Sequence, residues 1–392
     1  MKRLKVGYFI DTFFPMVDGV IMVVDNYAKR MQKYADVTVF APKVDLFYKD
    51  TFDYKVIRSM SLPVPFFEYS LPNPDVDIAF RNELNKSALD IVHIHSPFAI
   101  GRMGIRYAYK KNIPVLGTMH SQYKKDFQRR LKVDAAASAL TDIVANCFDK
   151  CDRCYAVNAA VAKIFYEEYG CRELPGVIGN ATDMLPCDKE NACREIHGEY
   201  KINEDEKVLV FVGRINKLKN IMFIADTLAV LKKKGLKFKM LFVGTGEDEL
   251  ELKNKIHMLG LENCVIFCGK ISEREKLAKI YAASDIFLFP SLYDASSLVQ
   301  IEAASQGLPT AFLSGAATAA TVTDGVNAIV ADEKDYADSV LKTLSDSSLH
   351  KTLSEGAKRD LYVTWDDVVE KVYGEYVRYT RKYVWKNRRI WL

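Results

Sequence analysis

The chain has 392 residues, of which 49% are hydrophobic and 27% carry a charge. This balance is that of a folded globular protein, and the length is sufficient for two domains with a core each. The formal net charge is only +4, which is too weak to indicate nucleic acid, so we expect no nucleic-acid partner.

The first predicted element is a buried strand at residues 4–10. The basic residues at its start could belong to a signal peptide, but the apolar run is short and ends at Asp11 without a cleavage site of small residues. No run approaches the ~18 apolar residues expected of a membrane-spanning helix. We therefore expect a cytoplasmic protein whose eight cysteines are reduced thiols.

Short apolar runs alternate with amphipathic stretches along the chain, which predicts parallel sheets covered by helices on both faces. The predicted strands are 4–10, 36–41, 90–94, 114–118 and 154–157 in the first half, and 207–213, 238–243, 264–268, 285–289 and 309–313 in the second. The predicted helices include 20–34, 135–150, 221–234, 247–259, 273–283 and a last one near 365–382.

The alternation pauses between residues 171 and 206, where the chain becomes polar, and a new strand then begins a second series. We therefore predict two α/β domains, at 1–184 and 185–365. Ligands of such sheets bind beyond the carboxyl ends of the strands. The expected site lies in a cleft between the domains.

Two turns that follow strands of the second domain carry candidate phosphate contacts. Arg214 ends the first strand and Lys219 precedes the next helix; arginine offers a planar fork to phosphate oxygens and lysine a point charge. A solvated basic loop is the alternative. Gly244 and Gly246 flank the turn after another strand, where glycine permits either close approach to a ligand or simply a tight turn.

A third turn, from Pro290 to Glu302, joins a predicted strand to a predicted helix that we expect to begin near Ser296, with its hydroxyl as the cap. Asp294 lies in the loop and Glu302 two turns into that helix. Ionised carboxylates accept hydrogen bonds from several hydroxyls, which suits sugar recognition. The free amides of Ser297 and Leu298 would face an anionic diphosphate.

These motifs resemble the signature of retaining glycosyltransferases of family 4, the glycosyl transferases of group 1. The resemblance rests on Asp294-x7-Glu302, Pro290-Ser291, Ala303-x3-Gly307-x-Pro309, Gly213-Arg214-x4-Lys219, Gly244-x-Gly246-Glu247 and the interdomain segment 177–183. It implies the GT-B fold, in which two Rossmann-like doubly wound domains face each other across a cleft. It also implies that the last helix, 366–392, packs back on the N-terminal domain.

The resemblance assigns roles to these residues. Glu302 would hold the donor ribose, Arg214 and Lys219 the diphosphate, and Asp294 the hydroxyls of the transferred sugar. In the N-terminal domain Gly19 would lie near the donor phosphates, and His120 beside the reacting sugar.

His93 and His95 lie in the stretch from Asp90 to Phe98, which, with the stretch from His120 to Tyr123, is similar to family members that glucosylate diacylglycerol. We expect the two side chains to point to opposite faces of their strand, which would exclude a simple two-histidine metal pair. No Asp-x-Asp element stands out either, and we expect neither a metal nor a cofactor besides the nucleotide sugar.

The sequence departs from the family at the loop before Glu302. Asp294 stands where glutamate is usual, and Ala295-Ser296-Ser297 replaces glycine–aromatic–glycine. An unusual donor sugar is one explanation, and a catalytically impaired nucleotide-sugar-binding protein is the other.

Two further enzyme classes are less favoured by the sequence. Cys147-x3-Cys151-x2-Cys154 has the spacing of a radical-SAM iron–sulfur motif, but small buried thiols at core positions explain it better. An NAD-dependent enzyme would carry Gly-x-Gly-x-x-Gly after the first strand, and this chain does not.

The sequence thus predicts a retaining, metal-independent hexosyltransferase that uses a nucleoside diphosphate sugar, which we expect to be a UDP-sugar. The acceptor is expected to be a glycolipid or a cell-envelope glycan. Residues 378–392 are basic and carry two tryptophans, which indicates either contact with the inner face of the membrane or a helix that docks its aromatic residues on the other domain.

Overall fold

The computed structural model describes residues 3–45, 47–63, 70–131 and 133–389, and in the last helix it describes side chains as far as Tyr383. The chain forms two compact units, Met1–Asn180 with Trp365–Leu392, and Ala181–Thr364. The division falls slightly before the predicted boundary at residue 184. Trp365 belongs to the first unit and not to the second, because its indole packs edge-on against Tyr27, with ring centroids 6.0 Å apart.

The first unit contains a sheet of seven parallel strands. The strands of this sheet are β1 (Leu4–Phe9), β2 (Ala35–Pro42), β3 (Lys55–Ser59), β6 (Ile91–Ile94), β7 (Val115–Met119), β8 (Arg153–Ala156) and β9 (Gly176–Val177). Two short strands, β4 (Ser61–Pro63) and β5 (Ser70–Pro72), form a separate antiparallel pair. Its helices before the boundary are α1 (Gly19–Met31), α2 (Ile78–Ser87), α3 (Ala99–Lys111), α4 (Tyr123–Leu131), α5 (Asp134–Phe148) and α6 (Ala159–Lys163), the last continued by a π-helical turn (Ile164–Glu168).

The second unit contains a sheet of six parallel strands. The strands are β10 (Lys207–Val212), β11 (Phe238–Val243), β12 (Val265–Gly269), β13 (Ile286–Phe289), β14 (Thr310–Leu313) and β15 (Ile329–Ala331). The helices are α7 (Lys189–Tyr200), α8 (Ile221–Lys233), α9 (Glu249–Met258), α10 (Arg274–Ala283), α11 (Leu298–Ser305), α12 (Tyr336–Ser345) and α13 (Ser347–Asp360), with 3-10 turns at Lys217–Lys219 and Ala317–Thr321. The last helix of the chain, α14 (Trp365–Arg389), belongs to the first unit.

Both large sheets have the strand order of a doubly wound fold. The order is β3-β2-β1-β6-β7-β8-β9 in the first unit and β12-β11-β10-β13-β14-β15 in the second. In each, the order reverses beside the first strand of the unit, between β1 and β6 and between β10 and β13. Such switch points are where these folds bind ligands.

Alternating side chains of the strands bury both faces of the second sheet. Leu209 and Phe211 of β10 pack into the cluster that includes α8, α9 and α12, whereas Val208 and Val210 pack into the cluster that includes α7 and α10. Because successive side chains of a strand point to opposite faces, a strand covered on both sides must be apolar throughout. This explains why its sequence is a continuous apolar run.

All ten predicted strands are confirmed, and the α/β fold class with them. The sequence analysis missed β3, β4, β5, β9 and β15, which are short or partly polar. Among the described residues no helix combines the length and the apolar character needed to cross a membrane.

Candidate functional site

The first unit brings three histidines together at the carboxyl ends of β6 and β7. His120 directly follows β7 and is only 8% exposed, and its Nε2 lies 3.0 Å from Nδ1 of His95, which directly follows β6. The two rings are stacked, with centroids 5.3 Å apart. His93, on β6, is hydrogen bonded through Nδ1 to the Tyr376 hydroxyl at 2.6 Å and through Nε2 to Thr118 Oγ1 at 2.8 Å.

The prediction that His93 and His95 face opposite ways is wrong, because their ring centroids lie 4.2 Å apart. Residues i and i+2 of a strand share a face, and the sequence alone was sufficient to show it. Even so, no group of three or more His, Cys, Asp or Glu side chains in the described part of the chain is arranged to hold a metal ion.

All three histidines are held neutral near pH 7. Burial lowers the pKa of His120 and that of His93 to about 3, and the pKa of His95 lies well below its usual value for the same reason. A neutral imidazole has one donor and one acceptor. His120 can therefore offer a hydrogen bond or its ring face to a substrate, but no positive charge.

Asp11, which the sequence analysis used only as the end of a strand, anchors the start of α3. Its carboxylate accepts hydrogen bonds from Ser96 Oγ at 2.7 Å and from the amides of Ile100 at 2.7 Å and Phe98 at 3.1 Å. Burial raises its pKa, and these hydrogen bonds oppose the rise. Asp11 thereby ties the end of β1 to the segment that follows His95.

Gly19 is the first residue of α1, directly after Asp18, whose Oδ1 caps the helix by accepting from the Ile21 amide at 2.8 Å. A Cβ at Gly19 would meet no atom within 4 Å, and its φ does not lie in the left-handed region. Neither packing nor conformation therefore requires glycine here. Close approach of a ligand to the start of α1 would require a glycine at this position. The predicted contact of Gly19 with the donor phosphates stays a prediction.

In the second unit, the loops after β10 and β13 are held together at the switch point. Lys219 Nζ lies 2.5 Å from Asp294 Oδ1, so the predicted phosphate contact and the predicted sugar contact form an ion pair. Ser291 Oγ donates to the Leu218 carbonyl at 3.2 Å, and the side-chain Nδ2 of Asn220 donates to the Pro290 carbonyl at 3.3 Å. Both charged side chains are mostly buried.

Arg214 lies apart from this ion pair. Its side chain is exposed and forms no hydrogen bond or ion pair with any residue that the structure describes. A guanidinium that is not engaged elsewhere is available to bind an anion at the end of β10.

The helix that follows Asp294 begins later than predicted. α11 begins at Leu298, with Ser297 rather than Ser296 as the N-cap residue, and the Ser297 side chain does not cap the helix amides. Glu302 is consequently one turn into the helix, not two. The end of α11 that carries Ser297 and Leu298 has the partial positive charge of a helix N-terminus.

Glu302 is buried and held by two partners that the sequence analysis did not identify. Arg274 Nη1, at the start of α10, lies 2.6 Å from Glu302 Oε1, and the Tyr281 hydroxyl lies 3.4 Å from Glu302 Oε2. Arg274 also lies 3.5 Å from Thr182 Oγ1. The carboxylate retains capacity for further donors, since two oxygens accept up to about four hydrogen bonds.

Gly244 and Gly246 bring the turn after β11 against the turn after β10. A Cβ at Gly244 would lie 1.9 Å from the carbonyl oxygen of Gly213, and one at Gly246 would lie 2.2 Å from that of Ile215. Contact with the protein's own backbone therefore explains both glycines. Their predicted contact with a ligand stays a prediction.

The three cysteines of the radical-SAM spacing are free thiols, at the end of α5, in the following turn and on β8. Burial raises the pKa of the Cys147 thiol to about 11, and that of Cys151 also lies above its usual value. Cys154 Sγ donates to the Phe148 carbonyl at 3.3 Å. Cys147 is buried, and Cys151 and Cys154 are partly buried.

Comparison with known families agrees with this arrangement. The model of the Glycosyltransferase Family 4 matches residues 17–184, and that of Glycosyl transferases group 1 matches residues 193–360. The chain belongs to glycosyltransferase family 4. The family predicted from the motifs is thereby confirmed.

Curated relatives of this family 4 protein include two bacterial synthases. The alpha-monoglucosyldiacylglycerol synthase of Streptococcus pneumoniae is 26% identical over 316 residues, which cover 78% of this chain and 70% of the relative. The N-acetyl-alpha-D-glucosaminyl L-malate synthase of Bacillus anthracis is 23% identical over 389 residues, which cover 95% and 96%.

Solved structures show that the family 4 chain has the GT-B fold. HepE of Anabaena, in complex with UDP and glucose, matches with a TM-score of 0.73 at 16% identity and covers 95% of this chain and 99% of its own. Sucrose-phosphate synthase of Thermosynechococcus elongatus matches with a TM-score of 0.77 at 17% identity, covering 96% and 99%.

Proposed function

We propose that the protein transfers a hexose from a UDP-sugar, with retained anomeric configuration, to a lipid-linked or cell-envelope acceptor. The observation that carries the proposal is the Lys219–Asp294 ion pair at the switch point of a doubly wound sheet. Asp294 precedes Leu298, the first residue of α11, by four residues, and no side chain caps that helix start. The complex of HepE with UDP and glucose supports a UDP-linked donor.

Four charged groups of the second unit have tasks in this reaction. Lys219 and Arg214 bind the diphosphate and, with the amides at the start of α11, stabilise the negative charge that develops as it leaves. Glu302 accepts hydrogen bonds from the ribose hydroxyls. Asp294 accepts from a hydroxyl of the sugar once Lys219 turns toward phosphate.

His120 supplies a neutral contact to the transferred sugar. With its pKa at about 3, it is not a cation at the pH of the reaction, so it orients the sugar through a hydrogen bond and its ring and does not neutralise charge. We propose that no protein nucleophile takes part, and that attack on the face that the diphosphate leaves accounts for retention. We propose that no metal is needed, since Lys219 and Arg214 supply the positive charge.

The acceptor is the least constrained part of the proposal. The diacylglycerol relative supports a lipid acceptor, and the malate relative makes a small carboxylic acid the alternative. Of the basic segment 378–392, the described part packs on the first unit: Tyr379 is buried, and the Tyr383 hydroxyl donates to Asp152 Oδ1 at 2.6 Å. The side chains of 384–389 and all of 390–392 lie outside the described residues, and membrane contact by this segment stays a proposal.

The test compares transfer from UDP-glucose, UDP-N-acetylglucosamine and GDP-mannose to diacylglycerol vesicles and to malate, with and without EDTA. Lys219→Ala should reduce kcat/KM by about 100-fold or more, the cost of losing a group that stabilises transition-state charge. Lys217→Ala is the matched control. Lys217 lies in the same 3-10 turn, is exposed and pairs with Glu251, so its loss should leave transfer within about twofold, as expected for an exposed ion pair.

Equal activity of the two variants would overturn the site. The anomeric proton of the product, observed by NMR, decides between retention and inversion. Tight UDP binding without transfer to any acceptor would instead support the impaired nucleotide-sugar-binding protein.

A further inference from the structure

The histidine pair His95–His120 contains one ring nitrogen without a partner. Nδ1 of His95 faces Nε2 of His120, but Nε2 of His95 is buried and has no hydrogen-bond partner among the described residues. Its ring is enclosed by Tyr8 and Tyr27, both edge-on, with centroids at 5.4 and 5.8 Å. The backbone amide of His95 is fixed to the Phe9 carbonyl at 2.8 Å.

Only two arrangements of protons satisfy a hydrogen bond between two neutral imidazoles. In the first, His95 donates from Nδ1, its unpartnered Nε2 is a lone pair, and His120 carries its proton on Nδ1. In the second, His120 donates from Nε2, and the unpartnered Nε2 of His95 is an N–H. Buried donors without an acceptor are rarer than buried acceptors without a donor, which favours the first arrangement.

We propose that His95 is the positioning residue of His120. By donating from Nδ1 to Nε2 of His120, it holds His120 in the tautomer that carries its proton on Nδ1 and fixes the plane of the ring. No ring atom of His120 forms another hydrogen bond with a described residue, so its Nδ1–H is available to a substrate. It can only donate there, and its natural partner is an oxygen of the transferred sugar.

The side chains around the pair keep this arrangement. His93 contacts the His95 ring but is itself bound at both nitrogens, to Tyr376 and Thr118. It therefore cannot exchange its proton with His95 without breaking one of these bonds. The side chains of the first unit therefore fix the tautomer of His120 before any substrate binds.

The proposal rests on the proposed contact of His120 with sugar, and three variants of His95 separate the effect of its hydrogen-bond donor from that of its ring. The amide nitrogen of asparagine is as many bonds from Cα as Nδ1 of histidine, so His95→Asn keeps the donor to His120. The amide nitrogen of glutamine is as many bonds from Cα as Nε2 of histidine, so His95→Gln loses the hydrogen bond to His120. His95→Phe keeps the ring packing and has no donor.

We expect His95→Phe and His95→Gln to lower kcat by about 10- to 100-fold, as loss of a partner that orients a functional histidine does. The donor KM should change less than twofold, and His95→Asn should retain activity within about threefold of wild type. If His95→Phe is as active as wild type, or if asparagine is no better than glutamine, the positioning role is wrong.

A second measurement does not depend on activity. Nitrogen-15 NMR of protein with labelled histidine reports which nitrogen of each of the six rings carries a proton, and His120→Gln identifies the signals. We expect the proton of His120 on Nδ1 in wild type and in His95→Asn, and a mixture of tautomers in His95→Phe. A proton on Nε2 of His120 in wild type would overturn the proposal even if transfer is observed, whereas absence of transfer with the expected tautomer would count against the proposed function alone.

Discussion

Single residues decide how the second unit presents its carboxylates. Glu302 is buried beside Arg274 and Tyr281, whereas Asp294 is paired with Lys219. No sequence pattern links Arg274 to Glu302, because the two are 28 residues apart on different helices. Only the packing of α10 beside α11 brings the guanidinium to the carboxylate. Loss of the Arg274 side chain would leave the Glu302 carboxylate in place without its cationic partner.

Arg274→Ala should therefore weaken binding of UDP by about tenfold or more, since a hydrogen bond to a charged group contributes about 1.5–3 kcal/mol and 1.4 kcal/mol corresponds to a factor of ten. The same change should leave 2′,3′-dideoxyuridine diphosphate unaffected, because that nucleotide has no ribose hydroxyls for Glu302. Titration calorimetry with both nucleotides measures the difference.

Lys276→Ala, on the same helix and paired with Glu199, serves as the control and should bind both nucleotides as wild type does. An equal loss of affinity for both nucleotides in Arg274→Ala would show that Arg274 does not act through the ribose.

At the scale of elements, the sequence predicted the strands and helices that have a continuous apolar pattern. It missed the features that arise from contacts between distant segments. The buried strands were predictable because a strand covered on both faces must be apolar throughout, as in β10. β15 has three residues and β9 only two, too few for any period. The start of α11 was misplaced because Ser296 and Ser297 are equally good caps by sequence. The candidate residues were found through motif spacing, whereas Arg274 and the His95–His120 pair needed the fold.

The glycines of the sequence did not by themselves indicate which positions require glycine. The space around each glycine in the fold distinguishes those that require it from those that do not. Gly246→Ala should destabilise the second unit by about 2 kcal/mol, within the range for overpacked sites, because the new Cβ would lie 2.2 Å from a backbone oxygen. Gly198→Ala, within α7 and in open space, should instead stabilise the unit by about 0.5–1 kcal/mol through helix propensity.

Urea unfolding of the two variants, followed by circular dichroism, measures both changes. A neutral Gly246→Ala would mean that the turns after β10 and β11 separate readily, and contact with a ligand would then be the better explanation of the glycine.

At the scale of the whole molecule, the two units share a strand order but differ in the chemistry at their switch points. The second unit gathers ion pairs, Lys219 with Asp294 and Arg274 with Glu302. The first gathers neutral groups: three buried histidines around Tyr8 and Tyr376. The ion pairs suit an anionic nucleotide. The neutral cluster makes the first unit the more sensitive of the two to acid.

The sign of this sensitivity follows from the pKa values. Burial lowers the pKa of His93 and His120 from about 6.5 to about 3, so below pH 6.5 the unfolded chain binds protons that the folded chain does not. Their contribution to stability is complete above pH 6.5 and is lost as the pH falls toward 3. Each such histidine lowers the free energy of unfolding by up to about 1.4 kcal/mol per pH unit.

As the pH falls, the raised pKa of the Asp11 carboxyl acts in the opposite direction, so the share of a histidine is measured as the difference in slope between wild type and a histidine variant between about pH 6.5 and 5. We expect the first unit to lose stability across this window, and His120→Gln to reduce the slope by the share of one histidine. His257→Gln, at an exposed histidine, should leave the slope unchanged. Urea unfolding at half-unit steps of pH measures both slopes. Equal slopes for wild type and His120→Gln would mean that burial does not lower the pKa of His120, and His120 would then meet the sugar as a cation below about pH 6.5.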